Sequence, residues 1–257
     1  MAKFTKAILR NSSITLFDFY DIIKEAKSIH NISNELAEQL GKVFVFAEYM
    51  CSYYKSEKDT LSVTVVTNSG NIVVVGNGNH KIKGYIDQLD LSQGINGIMV
   101  VIKGENLKKP YTGKCNFSIA LEDAFVNYFE QSEQNELHVD IQIDFEKEYA
   151  KAVFSQFLPG ASQEDMLYKD KCFIEMDNEH LFNFYLNNAE ILSIQNFELE
   201  CDCSKEKIDR AIISLGPSEA KKIVEENGKI EVKCEFCQTN YSYCKKDLEI
   251  LFEEVND

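Results

Sequence analysis

Apolar residues recur with helical and strand periods through the first 158 residues of the chain. Between Ser33 and Tyr54 they recur every three or four positions, which predicts one long amphipathic helix with Ser33 as its N-cap. A second helix is predicted over 121–129, and residues 137–145 alternate between apolar and polar, as in a strand with one buried face. Further runs rich in Val and Ile predict strands at 61–67, 72–75, 82–86 and 98–103. Because strands do not alternate regularly with long helices, the pattern predicts a large α+β core domain over residues 1–158.

The pattern changes after Pro159-Gly160. Residues 160–200 carry nine acidic residues against two lysines, yet they are also rich in Phe, Leu and Ile. Ser162 and Asp165 fit a capping box at the start of a helix. We interpret 159–199 as a helical linker that is only marginally stable, because its acidic side chains repel one another. An ordinary helical segment packed on the core would show the same pattern.

Residues 200–257 predict a small third domain. Apolar positions between 208 and 215 share one helical face, which Gly216-Pro217 ends, and a second short helix ends at Asn227-Gly228. Alternating residues around 230–243 predict two strands, and a last helix follows them. So few apolar residues form only a thin core, and this predicts that a metal is needed to hold the domain together.

Charge and composition exclude several classes of partner. The formal net charge is −15, from 42 acidic and 27 basic residues. A nucleic-acid binder needs clustered Lys and Arg to displace counterions, so no nucleic-acid partner is expected. The first residues lack the apolar core of a signal peptide, and the longest apolar runs, such as 98–102, are too short to span a membrane. We expect a cytoplasmic protein, since its cysteines suit a reducing compartment better than a disulfide framework.

Four cysteines indicate a metal site most clearly. They form two close pairs, Cys201 with Cys203 and Cys234 with Cys237, and 30 residues separate the pairs. Zinc takes four ligands tetrahedrally with thiolate sulfurs at about 2.3 Å, and each pair can supply half of that shell. We expect one zinc per chain, with a disulfide pair or a chance spacing as the alternatives. A shell closed by four sulfurs leaves no position for a substrate, so we expect no catalytic residue and no enzyme. Cys244 is a fifth candidate, which we interpret as a bystander thiol.

Thiolates held by zinc are also oxidisable nucleophiles. At neutral pH free thiols are mostly protonated, with a pKa near ~8.5, whereas metal binding keeps them deprotonated. If an oxidant converts the thiolates to disulfides, the ligands are lost. Structural zinc contributes about 10 to 16 kcal/mol in small metal domains, comparable with the ~5 to 15 kcal/mol that stabilises a whole domain. Loss of zinc is therefore expected to unfold residues 200–257, and a marginal neighbour could follow.

At these residues the chain resembles the heat shock protein 33 family, the redox-regulated 33 kDa chaperonins. The order Cys-x-Cys, helical spacer, Cys-x-x-Cys carries the likeness, within 197–206 and 232–237. The helix and following residues at 121–134 and the Gln-Phe-Leu-Pro sequence at 156–159 extend it upstream, so it covers nearly the whole chain. The chain departs from the family pattern in the turn at 68–71, at Lys83 and in having Cys244.

The resemblance implies an ATP-independent holdase chaperone. In the reduced, zinc-bound state the protein would be folded and idle. Oxidation would form the disulfides Cys201–Cys203 and Cys234–Cys237, release zinc and loosen the linker, so that unfolding client proteins are bound. The resemblance also implies a homodimer on oxidation. The sequence does not identify the residues that contact clients.

Two other classes of function remain as alternatives. One is a zinc ribbon that contacts nucleic acid, although residues 201–257 hold thirteen acidic side chains against nine Lys and Arg. The other is a thiol enzyme that uses Cys234 and Cys237 as a redox dithiol. A salt-sensitive gel shift would support the first, and turnover of a small disulfide with a reductant would support the second.

Overall fold

The computed structural model describes residues 1–92, 94–104, 110–118 and 120–253. The chain divides into two compact units, Met1–Glu200 and Cys201–Asp257. Residues 254–257, at the end of the expected third domain, lie outside the described residues.

The first unit contains strands and helices in mixed order. Its strands are β1 (Lys3–Leu9), β2 (Ser12–Asp18), β3 (Thr60–Thr67), β4 (Asn71–Asn77), β5 (Lys81–Asp87), β6 (Gly97–Gly104), β7 (Tyr111–Phe117), β8 (Leu137–Asp144), β9 (Tyr149–Phe157), β10 (Glu190–Asn196) and β11 (Glu198–Leu199). Its helices are α1 (Tyr20–His30), α2 (Asn34–Cys51), α3 (Leu121–Tyr128), which continues into a π-helical turn (Phe129–Glu133), α4 (Gln163–Glu175) and α5 (Asn178–Asn188).

These strands form two sheets. The first sheet has the order β10-β1-β2-β9-β8 and is antiparallel throughout. The second sheet has the order β11-β5-β4-β3-β6-β7, in which only the short β11 runs parallel to its neighbour. Together with the helices they form a mixed architecture, which confirms the predicted α+β class.

Helix α2 lies at the centre of the main core. Its side chains pack on β4 and β5 of the second sheet, and Tyr49 stacks on Phe154 of the first sheet with ring centroids 4.5 Å apart. Ser33 caps it, as predicted, by accepting a hydrogen bond from the backbone N–H of Leu36 at 3.3 Å. Every side chain from Val43 to Cys51 is buried, so the second half of this helix is enclosed, whereas its first half keeps the predicted amphipathic pattern.

The first sheet buries both of its faces. One face contributes Phe4, Phe17 and Phe154 to the main core around α2. The opposite face forms a separate apolar cluster with α4 and α5. We call this cluster the linker interface; its buried members are Ala7, Ile14, Leu16, Val153, Cys172, Leu181, Phe182 and Tyr185.

Residues 159–199 are therefore structured against the core. Helices α4 and α5 match the predicted helical linker, and Ser162 and Asp165 form the predicted capping box. Residues 190–199 differ from that prediction, because they continue as β10 and β11 at the edges of the two sheets. The backbone N–H and C=O groups of these residues bond to strands that are distant in the sequence. The prediction missed both strands because local periodicity does not reveal such pairing.

The second unit contains α6 (Lys205–Leu215), α7 (Pro217–Asn227), a hairpin of β12 (Ile230–Lys233) and β13 (Asn240–Tyr243), and α8 (Lys245–Glu253). This order matches the predicted one. Its buried core is small and consists of Ile212, Ala220, Val224, Ile230, Tyr243, Leu248 and Leu251. Leu215, predicted to face this core, is 48% exposed at the end of its helix.

Candidate metal centre

Two local structures present the four paired cysteines. Cys201 and Cys203 lie in an irregular segment that ends at Ser204, the N-cap of α6. Cys234 and Cys237 lie in the turn of the β12–β13 hairpin. That turn is closed by backbone hydrogen bonds from Gln238 N–H to the Cys234 carbonyl, 2.8 Å, and from Cys234 N–H to the Thr239 carbonyl, 2.9 Å.

The fold brings the four sulfurs together. Each Sγ lies within 4.8 Å of the other three. The Sγ atoms of Cys201 and Cys234 are 3.6 Å apart, and those of Cys203 and Cys237 are 3.3 Å apart. Neighbouring sulfurs of a tetrahedral zinc site with bonds of about 2.3 Å would be about 3.8 Å apart. The spacing and the all-sulfur donor set therefore fit a soft, tetrahedral metal ion.

Side chains that the sequence did not single out surround this cluster. The hydroxyl of Tyr241 lies 3.3 Å from Cys203 Sγ, and the hydroxyl of Thr239 lies 3.2 Å from Cys237 Sγ. Hydrogen bonds of this kind orient ligands and tune their basicity. Thr239 lies just before β13 and Tyr241 lies on it, two and four positions after Cys237, and this closeness in the sequence was the signal available.

Cys201 and Cys237 differ in acidity. Burial raises the pKa of Cys237, but hydrogen bonds with Thr239 and the neighbouring thiols outweigh it and lower the pKa to about 6. Burial raises the pKa of Cys201, and hydrogen bonds with the other thiols add to this effect. Cys237 is therefore more acidic than Cys201, and a bound cation would favour the thiolate form of the ligands.

Nearby lysines have carboxylate partners of their own. Lys205 Nζ lies 3.0 Å from Asp209, and Lys207 pairs with Asp202. This favours the interpretation that both are solvated helix lysines. Cys244 is exposed and lies outside the cluster, where its backbone N–H donates to Asp247 at the start of α8, 2.7 Å.

A second polar cluster lies at the linker interface, and sequence spacing did not reveal it. His138 lies at the start of β8, and its Nε2 is 2.8 Å from the carboxylate of Asp170 in α4. The same nitrogen is 3.7 Å from the carboxylate of Glu136. Beside it Lys169 is 2% exposed, and its ammonium lies 3.1 Å from the ring centroid of Phe157. Within the described part of the chain, Lys169 Nζ has no hydrogen-bond partner.

This burial alters the acidity of the cluster. Desolvation lowers the pKa of Lys169 to about 8, although Glu136 and Asp170 favour its charged form. Desolvation and repulsion from Lys169 also lower the pKa of His138, against the opposing effect of Asp170. A buried amine without a hydrogen-bond partner weakens the docking of α4 on the sheet.

Other polar contacts complete the linker interface. Asn11, in the β1–β2 turn, donates to Asp165 at 3.1 Å, and Arg10 stacks on the ring of Tyr168 at 4.2 Å. At the start of α5, Asn178 accepts from the hydroxyl of Tyr149, 2.7 Å, and donates to Asp140. The interface therefore combines a small apolar cluster with hydrogen bonds at its rim.

Comparison with known proteins places the whole chain in one group. A "33 kDa chaperonin" of Clostridium perfringens (strain SM101 / Type A) is 28% identical, over 98% of this chain and 92% of the relative. The "33 kDa chaperonin" of Clostridium novyi (strain NT) is 27% identical, over 97% of each chain. The crystal structure of the 33 kDa chaperonin from Thermotoga maritima covers 100% of this chain and 99% of its own, with a TM-score of 0.83 and 18% identity, and so shows the same fold.

The family model described as "Hsp33 protein" matches residues 3–244, which include both cysteine pairs. This match extends over nearly the entire chain. The chain therefore belongs to the Hsp33 family.

Proposed function

We propose that this protein is a redox-regulated, ATP-independent holdase chaperone whose four clustered thiols are the switch. One observation carries the proposal: Cys201, Cys203, Cys234 and Cys237 converge at metal-binding distances in a member of the Hsp33 family. Relatives are named chaperonins, which supports the binding of unfolding client proteins. The proposed activity is stoichiometric binding in the cytoplasm rather than turnover.

In the reduced state we propose one zinc ion per chain on these four sulfurs. Zinc would supply the positive charge that keeps all four thiols deprotonated, and would hold their two segments together. The hydroxyls of Thr239 and Tyr241 orient Cys237 and Cys203. The apolar core of this unit contains seven buried residues, so we expect it to depend on the metal.

Oxidation would form two disulfides, Cys201–Cys203 and Cys234–Cys237. Each bond removes two electrons from a pair of thiolates, and one hydrogen peroxide accepts them and becomes two waters with two protons from solvent. A sulfur engaged in a disulfide no longer binds zinc well, so the metal would leave. Two close sulfur contacts also run crosswise between the pairs, Cys201 with Cys234 and Cys203 with Cys237, so the pairing itself is open to test.

We further propose a division into a core of 1–158, a metastable linker of 159–199 and a redox domain of 200–257. Release of α4 and α5 would uncover the sheet side of the linker interface, formed by Ala7, Ile14, Leu16 and Val153. It would also expose the apolar side chains of both helices. Such a surface is adhesive toward unfolded chains, while the net charge of −15 keeps a complex dispersed. Oxidised chains would also form homodimers.

The test compares the reduced, zinc-loaded protein with the same protein after peroxide and mild heating. We expect one zinc per chain before treatment, none after it, and suppression of light scattering by a heat-unfolding reporter enzyme only after it, without ATP. Peptide mapping by mass spectrometry would identify the disulfides. Equal suppression by the reduced protein would reject the switch and leave a constitutive binding protein.

A further inference from the structure

Strand β10 is one of the two outer strands of the first sheet, and its backbone rather than its side chains holds it there. It pairs with β1 over six residue pairs, from Lys3 with Asn196 to Ile8 with Glu190. Six of its seven residues are exposed, including Leu192 and Ile194 at 56% and 63%. Main-chain hydrogen bonds therefore provide most of its attachment.

The pairing of β10 with β1 is interrupted. The register passes from Lys6 opposite Ser193 to Ala7 opposite Ile191, so that Leu192 has no partner residue on β1. A bulge of this kind breaks the ladder locally and weakens the edge. An aliphatic residue thus stands exposed on an irregular edge strand.

Strand β1, in contrast, is fixed in the core. It pairs with β2 along its whole length, and its Phe4 and Ala7 are 0% and 1% exposed. If β10 leaves, β1 keeps its place and presents a row of unpaired backbone N–H and C=O groups. An open edge of this kind is a template for another strand.

We infer that the free edge of β1 is a docking site for an extended, aliphatic segment of a client protein, and that β10 covers this edge until the linker is released. The inference rests on the proposed release of residues 159–199 and adds a defined contact surface to it. The strand in place shows which chemistry fits: Ile191, Leu192 and Ile194 with one charge, Glu190.

Pairing by backbone groups suits a chaperone with many clients. Main-chain hydrogen bonds do not depend on sequence, so any uncharged segment of six or seven extended residues could replace β10. Unfolding proteins expose such segments. The adjoining linker interface offers apolar surface from Ala7 of the same strand, so strand pairing and apolar contact would act together.

Hydrogen exchange of the full-length protein tests this inference. We expect those amides of residues 3–9 that point toward β10 to lose protection on oxidation and to regain it, by tenfold or more, when the oxidised protein binds the unfolding reporter enzyme, while the amides paired with β2 stay protected. Strand β7, the outer strand of the second sheet, serves as the internal control and should not change when the client binds. Two results would overturn the inference and leave the proposed function intact. In the first, the oxidised protein binds the client although the β10-facing amides of residues 3–9 are still protected. In the second, these amides lose protection on oxidation and the bound client does not restore it. Absence of any client binding would overturn both.

A synthetic peptide with the sequence of residues 190–196 provides the second test. Two further versions carry N-methyl groups on alternate residues, so that each version blocks one edge of the strand and keeps the side chains. Added to the oxidised protein, the unmodified peptide should protect the same amides of residues 3–9, and one methylated version should bind at least tenfold more weakly than the other. Equal binding of all three peptides would reject strand pairing in favour of apolar contact alone, and no binding of the unmodified peptide would reject the site.

Discussion

Replacement of Lys169 by Met should strengthen the docking of the linker on the core. The lysine is 2% exposed, and burial lowers its pKa from an ordinary 10.5 to about 8. At pH 7 docking must therefore bury a charged amine. Since each pKa unit corresponds to ~1.4 kcal/mol, the cost is about 3 kcal/mol.

Methionine has a similar length and no charge, so Lys169→Met removes this cost. It also removes the contact between the ammonium and the ring of Phe157, which contributes ~0.5 to 2 kcal/mol. The net gain in docking free energy should be ~1 to 3 kcal/mol. We expect amide exchange in 163–188 of the reduced protein to slow by roughly 5- to 150-fold. Client binding should then require more peroxide or a higher temperature.

The pH dependence gives an independent signature. Because the docked pKa of Lys169 lies below the undocked one, the docking penalty is fully present below pH 8 and disappears as the pH rises toward 10.5. The wild type should gain linker protection over that range, whereas Lys169→Met should not. Lys171→Met is the matched control, since Lys171 lies on the same helix with a side chain that is 68% exposed. Faster exchange in Lys169→Met than in the wild type would refute the reasoning.

Three further predictions concern the cap of α4, its histidine contact and the thiols. Ser162→Ala removes the cap of α4 and should lower the stability of this helix by about 1 kcal/mol, so amide exchange in α4 should be roughly fivefold faster. Ser204→Ala is the control, since it affects only the cap of α6 and should leave exchange in α4 unchanged. The docked pKa of His138 is lowered, so docking should be intact above pH 6.5 and weaken as the pH falls through the lowered value. His138→Gln should flatten this pH dependence when protease sensitivity is measured against pH. A variant with the same pH profile as the wild type would contradict the prediction. Cys234→Ser should lose zinc in a metal assay and Cys244→Ser should retain it; the opposite result would show that Cys244 is a ligand.

Sequence alone predicted the cluster of four cysteines because each half of it is local. A Cys-x-Cys or Cys-x-x-Cys step places two sulfurs on one side of a short turn, and the fold has only to bring two such turns together. The long helix α2 was likewise predicted by periodicity and by the cap at Ser33. The complete burial of its second half was not, since enclosure depends on both sheets.

The linker interface could not be derived in the same way. Strand β10 pairs with β1, nearly 190 positions earlier, and no local pattern encodes that partner. Lysine is rarely buried, so sequence rules assign Lys169 to the surface, whereas packing of α4 against Phe157 buries it. His138 meets Asp170 only through the same packing.

The joint between the proposed linker and the cysteine segment suggests a path by which the proposed loss of metal would reach the core. The backbone N–H of Glu200 donates to the carbonyl of Ile82 at 2.9 Å, and the next residue is Cys201. Strand β11 pairs with β5 through only two residue pairs, so a movement of Cys201 would detach it easily. Phe197 is different, because its ring is 1% exposed and its burial stabilises the segment by about 1.5 to 3 kcal/mol. Release of β11 without Phe197 would leave β10 paired, whereas release of Phe197 frees β10 at the end nearest the cysteines. In the proposed mechanism, Phe197 would therefore set the threshold between a local opening near the thiols and release of the whole linker.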